Sequence, residues 1–143
     1  MREWKGIVIH HSETADNSFL PNIEAIKKYH IEVNRWQDIG YHYVIEKVNN
    51  NYVVEIGRDI NTIGSHALGF NATHIGICCI GNFNITSPES EMYLTLKNLL
   101  VVLKNTYSIE NKNIIGHIDT YRLLNKRIEK TCPGIKFEMK KIF

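Results

Sequence analysis

Apolar residues recur along this chain with two different periods, and the alternation between them predicts the elements. Gly6-Ile7-Val8-Ile9-His10 is apolar without alternation, as expected of a short strand covered on both faces. The polar, turn-rich stretch from Ser12 to Pro21 reads as a loop. From Asn22 to Trp36 the residues Ile23, Ile26, Tyr29, His30, Val33 and Trp36 fall at three- and four-residue spacing, which predicts an amphipathic helix. Pro21 and Asn22 suit its start, where a missing or capped donor costs little. Asp38-Ile39-Gly40 closes that segment. Tyr41 to Glu46 and Tyr52 to Ile56 then read as two strands of a hairpin around Val48-Asn49-Asn50-Asn51.

The second half repeats the grammar. Gly57 to Thr73 is irregular and rich in Gly, Asn and Ser, and so long a loop in a small domain is expected to be functional. Ile75 to Gly81 reads as a buried strand, and Ser87-Pro88-Glu89 opens a helix reaching Tyr107 with Met92, Leu96, Leu99, Leu100 and Leu103 on its apolar stripe. Asn113 to Gly116 is a short strand delivering His117, Thr120 to Asn125 a brief helical turn, and Ile135 to Ile142 a terminal helix. The sum is an α/β fold on the border of α+β, with a mixed central sheet of about five strands flanked by helices. Residues 1–143 are expected to form a single domain, without repeats or an interdomain linker.

Composition narrows the function classes. Seventeen basic against fifteen acidic residues give +2, too mild and too dispersed for a nucleic-acid or anionic-membrane surface. The N-terminus enters a strand at once with no signal-peptide core, and no run of about 18 apolar residues exists to span a bilayer. Synthesis in the cytoplasm without an export address is the expectation. Three cysteines, two of them adjacent in an apolar run, make a poor disulfide framework. Cys78 and Cys79, as strand neighbours, are expected on opposite faces of a buried sheet.

The chemistry points elsewhere. Seven histidines favour metal or acid–base work, and His10, His117 and Cys132 together form a ligand set that Zn²⁺ accepts with one position left open. Taken singly, His10 also reads as a hydrogen-bonded core histidine and Cys132 as an inert thiol, although Lys130-Thr131-Cys132-Pro133-Gly134 is a turn context. The gaps are too long for a zinc-finger pattern, so the blocks around each residue decide.

Those blocks are Ile7-Val8-Ile9-His10-His11-Ser12, Asp38-Ile39-Gly40-Tyr41-His42-Tyr43, Glu55-Ile56-Gly57-Arg58-Asp59, Gly64-Ser65-His66-Ala67 and Gly69-Phe70-Asn71. They continue with Ile75-Gly76-Ile77, Gly81-Asn82-Phe83, Gly116-His117-Ile118-Asp119 and Lys130-Thr131-Cys132-Pro133-Gly134. In this order the chain, from Ile7 to about Phe137, resembles the zinc-dependent N-acetylmuramoyl-L-alanine amidases of the type-2 group, which include phage lysozyme amidases and animal peptidoglycan recognition proteins. It departs from the phage pattern in carrying His11 after His10, and in a longer, more basic segment between Asp119 and Lys130.

The resemblance implies that His10, His117 and Cys132 bind Zn²⁺, that Tyr41 and Lys130 act beside it as catalytic helpers, and that a substrate groove lies above the metal. It implies hydrolysis of the amide between N-acetylmuramic acid and L-alanine in peptidoglycan, by an endolysin of a phage or prophage that acts on the bacterial cell wall. His66, Phe70, Asn71, Trp36 and Arg58, with Tyr43, are expected groove-lining residues, since a glycopeptide suits aromatic and hydrogen-bonding walls. His42 is expected to be structural, and Asp119 or a backbone carbonyl to orient His117. A non-catalytic muropeptide-binding module and a zinc hydrolase of another amide are the alternatives; retention of Cys132 speaks against the former.

Overall fold

The computed structural model describes residues 1–16 and 21–143; positions 17–20 of the expected loop from Ser12 to Pro21 lie outside the described residues. The elements run β1 (Gly6–His11), α1 (Ile23–Glu32), β2 (Tyr43–Val48), β3 (Asn51–Ile56), β4 (His74–Cys79), α2 (Ser90–Tyr107), β5 (Ile114–Gly116) and α3 (His117–Leu123). The strands form one sheet in the order β3-β2-β4-β1-β5. All neighbours pair parallel except the β2–β3 hairpin. Parallel strands must be covered on both faces, which explains why β1 is buried at every position.

Strand alternation divides the sheet into two unlike faces. Ile7, Ile9, Ile45, Ile75, Ile77 and Cys79 pack against Met92, Leu96, Leu100 and Leu103 of α2, in a large apolar core that also takes in Trp4, Phe83 and Phe137. The other face carries only a small apolar cluster, Ile23, Ile39, Val44, Cys78 and Ile80, with Ile26 of α1 against it. Cys78 and Cys79 thus lie on opposite faces, as adjacent strand residues must. The polar buried residues His10, His42 and Glu46 mark strands at or near the thinner layer.

Several element bounds differ from the sequence expectation, among them that β4 runs His74–Cys79 rather than to Gly81. Helix α1 ends at Glu32 rather than Trp36, because Arg35 takes a left-handed φ of 60° and turns the chain out of the helix. Strand β2 begins at Tyr43 rather than Tyr41; Tyr41 and His42 still accept backbone bonds from Arg58 and Gly57. Helix α3 starts at His117, three residues before the expected turn. The predicted terminal helix over 135–142 is reduced to a 3₁₀ turn at Met139–Ile142. There the N–H groups of Lys136 and Phe137 donate to Phe83 O and Gly134 O, so the i→i−4 ladder has no start. Among the described residues no helix is long and apolar enough to cross a membrane.

The α2 face is the stability reserve of the fold. Leu96→Ala, at a fully buried position, is expected to cost about 2–5 kcal/mol in urea unfolding, whereas Val102→Ala on the exposed side of the same helix should stay within about 0.5 kcal/mol.

Candidate metal centre

Strand register builds the site. In the parallel pairing of β1 with β5, Ile9 lies opposite Gly116, so the next residues, His10 and His117, leave the sheet side by side. Their rings lie 4.6 Å apart, centroid to centroid. His117 is the first residue of α3, whose preceding N–H, on Gly116, donates to Asp119 Oδ2 at 3.0 Å. The other Asp119 oxygen pairs with Arg122 at 2.7 Å. Asp119 therefore caps α3 and does not hold the His117 ring, contrary to one of the two expectations from sequence.

Cys132 arrives from a remote turn that is tied down twice. Ile118 N–H donates to Cys132 O at 2.7 Å, joining the His117 and Cys132 segments directly. Gly134, at φ +114°, lies so close to Phe83 that a Cβ would sit 2.4 Å from the Phe83 carbonyl carbon. Only glycine combines that φ with that approach. The result is one cluster, among the described residues, of three His, Cys, Asp or Glu side chains able to share an ion: His10, His117 and Cys132, with ligand atoms all within 4.8 Å of one another. Cys132 Sγ is 3.7 Å from His10 Nδ1. A tetrahedral zinc with ordinary bond lengths separates sulfur and nitrogen ligands by roughly 3.5 Å, so the donor set and its spacing fit such an ion.

His10 and His11 play different parts. As strand neighbours they face opposite sides: His11 Nδ1 accepts from Phe83 N–H at 3.1 Å, while its own backbone N–H donates to Cys132 Sγ at 3.3 Å. His10 instead meets His66, with 2.9 Å between His10 Nε2 and His66 Nδ1.

Burial sets the protonation states. Desolvation holds His10 well below the ordinary imidazole range, and together with the Lys130 charge brings His117 down to about 4. Both rings are neutral near pH 7, as metal ligands must be. Burial pushes the Cys132 thiol up to about 12, against the opposing pull of the His11 N–H and Lys130. Without a metal the sulfur therefore keeps its proton. Tyr41 is also driven well above its usual value, by burial first and by the nearby Cys78 and Cys132 sulfurs, so its phenol remains a donor.

A groove of about 740 Å³ opens over the three side chains. Tyr41 and Lys130 line it, and the Tyr41 ring lies 5.1 Å from that of His10. Trp36 and His66 also line it. Arg58, Asn71, Phe70 and Tyr43 do not: Arg58 donates to the carbonyls of Asp38, Ile39 and Ile63, and Asn71 Oδ1 accepts from the N–H groups of His66 and Ala67. Phe70 packs edge-on to His74, and Tyr43 packs against the α2-side core. These are frame residues, because their polar or aromatic groups are already engaged by the protein. Sequence reading missed the α1 wall, where Ala25, Ile26 and Tyr29 face the groove. Its one signal was a large aromatic, Tyr29, on a helix too short to bury it; the side chain is 56% exposed.

The family model for N-acetylmuramoyl-L-alanine amidase matches residues 1–135. The chain is 30% identical over 145 residues to an endolysin of Klebsiella phage KP32, a match covering 98% of this chain and 85% of that protein. Among solved structures it is similar to the N-acetylmuramoyl-L-alanine amidase LysC from Clostridium intestinale URNW, with a TM-score of 0.80, 32% identity and coverage of 99% of this chain and 83% of the other. It is also similar to Drosophila PGRP-LB solved in complex with tracheal cytotoxin, with a TM-score of 0.78 and 25% identity over 96% of this chain and 79% of that one. A match across nearly the whole length, by sequence and by shape, leaves one assignment: this chain belongs to the N-acetylmuramoyl-L-alanine amidase family.

Proposed function

We propose that this amidase cleaves the bond between the lactyl group of N-acetylmuramic acid and L-alanine in peptidoglycan, as an endolysin, with Zn²⁺ held by His10, His117 and Cys132. One observation carries the proposal: two neutral imidazoles and a thiol, remote in sequence, converge within 4.8 Å at the base of an open groove. These three residues would hold the ion and would leave it open to water or a carbonyl oxygen. When bound, the ion supplies Lewis acidity and lowers the pKa of water toward neutrality.

The remaining steps belong to side chains of this chain. Hydrolysis of an amide needs a proton for the departing amine and a positive or hydrogen-bonding group for the oxygen that gains charge. Lys130, exposed at the groove and near both histidines, brings a cation to that oxygen. Tyr41, kept protonated by its surroundings, offers an O–H in the same groove. The walls formed by α1 and Trp36 orient an extended glycopeptide by aromatic contact, while the 117 and 132 segments hold the reacting end.

The direct test is loss of turbidity of purified cell walls with mass spectrometry of the products. New L-alanine N-termini on intact glycan strands are expected, together with about one zinc per chain and loss of activity on chelation. Peptide binding without new amines would show a recognition module instead. Lys130→Ala is expected to keep zinc and to lower turnover by about 10²-fold or more; full activity in the metal-loaded variant would remove Lys130 from the chemistry. Zinc uptake at pH 7 should release about one proton, that of Cys132, since both imidazoles are already neutral. Calorimetry in buffers of different ionisation enthalpy measures that number, and Cys132→Ser should abolish the release.

A further inference from the structure

His66 occupies a slot made by missing side chains. A Cβ on Gly76 would fall 2.6 Å from its ring carbons, and one on Gly64 would fall 2.6 Å from its Cδ2. Its backbone is clamped as well, because the N–H groups of His66 and Ala67 both donate to Asn71 Oδ1, at 2.7 and 2.8 Å. The ring so held touches two partners of different kind: His74 O lies 3.0 Å from Nε2, and His10 Nε2 lies 2.9 Å from Nδ1.

The direction of these bonds follows from the carbonyl at one end. A carbonyl oxygen accepts and never donates, so His66 Nε2 carries the proton. The ring sits in a closed slot between Gly64 and Gly76, where the neutral form needs no counter-charge, and a neutral imidazole has a single N–H. Nδ1 therefore presents a lone pair, and His10 must donate to it from Nε2. That leaves His10 Nδ1 bare on the side where Cys132 Sγ lies 3.7 Å away.

We propose that His66 is a positioning residue that fixes His10 as its Nε2–H tautomer and aims the Nδ1 lone pair at the metal position. The proposal rests on His10 being a ligand, as read above, and adds a role to the place His66 already has in the groove lining. Outer partners of this kind commonly contribute 10- to 100-fold to metal affinity.

Long-range ¹H–¹⁵N spectra of the metal-free protein should show both His10 and His66 protonated on Nε2. In His66→Ala the His10 tautomer preference should be lost, and zinc affinity by chelator competition should fall about 10- to 100-fold. His66→Asn, whose Oδ1 replaces the Nδ1 acceptor, should recover most of that affinity and the His10 tautomer. A wild-type His10 protonated on Nδ1, or wild-type zinc affinity in His66→Ala, would overturn the proposal. Absence of zinc uptake by the wild-type protein would defeat the metal-site reading alone, since the spectra report the His10–His66 bond without metal. Should His66→Ala fail to fold, the wild-type spectra and His66→Asn decide the matter.

Discussion

The parallel pairing of β1 with β5 is the constraint on which the site depends. Ile9 opposite Gly116 sets two histidines abreast although more than a hundred residues separate them. A slip of one residue would turn His10 into the α2 core and His11 toward the groove, because side chains alternate along a strand. The apolar face prevents that slip: Ile7 and Ile9 pack in the α2-side core with Leu96 and Leu100, and the other register would remove them and strand the His10 imidazole among methyl groups. Hydrophobic packing on one side of the sheet therefore aims the candidate ligands on the other.

The thinner face is expensive to build, and its hydrogen bonds show how that cost is met. Buried imidazoles are tolerable only with partners: on this face His10 meets His66 and His30 accepts from Gly40 N–H, and on the α2 side His11 accepts from Phe83 N–H. His42 accepts from Gly76 N–H and contacts Thr62 O at 2.9 Å. Most of these partners are backbone groups of loops, so each ring also pins a connection. The long segment over 57–73 is functional in this sense. Arg58 ties it to the carbonyls of Asp38 and Ile39 and bonds Ile63 O within it, while Asn71 Oδ1 accepts from the N–H groups of His66 and Ala67 and so holds the backbone that carries His66.

Charge and burial act together at the centre. The same desolvation that keeps His10 and His117 neutral also keeps Cys132 protonated, so of the three proposed ligands two are in the form a metal takes and the third must lose its proton. Lys130 opposes burial at Cys132 and reinforces it at His117. One exposed cation thus favours the ligand form of both groups, since the imidazole should be neutral and the sulfur anionic.

Much of this was legible along the chain. Unbroken apolar runs at β1 and β4 and the stripe of α2 declare strands and helix, because burial selects residue type at fixed periods. The blocks around His10, His117 and Cys132 named the ligand candidates, since turn residues and chemistry sit together in short motifs. Tertiary structure alone decided the rest. That His10 and not His11 joins the cluster depends on which face of the sheet packs on α2. That Arg58, Asn71 and Phe70 serve the frame while Tyr29 faces the groove depends on where loops and a short helix come to rest. The terminal segment loses its helix because Phe83 and Gly134 capture its first amides. Periodicity records what a residue needs from its neighbours along the chain; the partner that a polar group finds across the fold leaves no mark there.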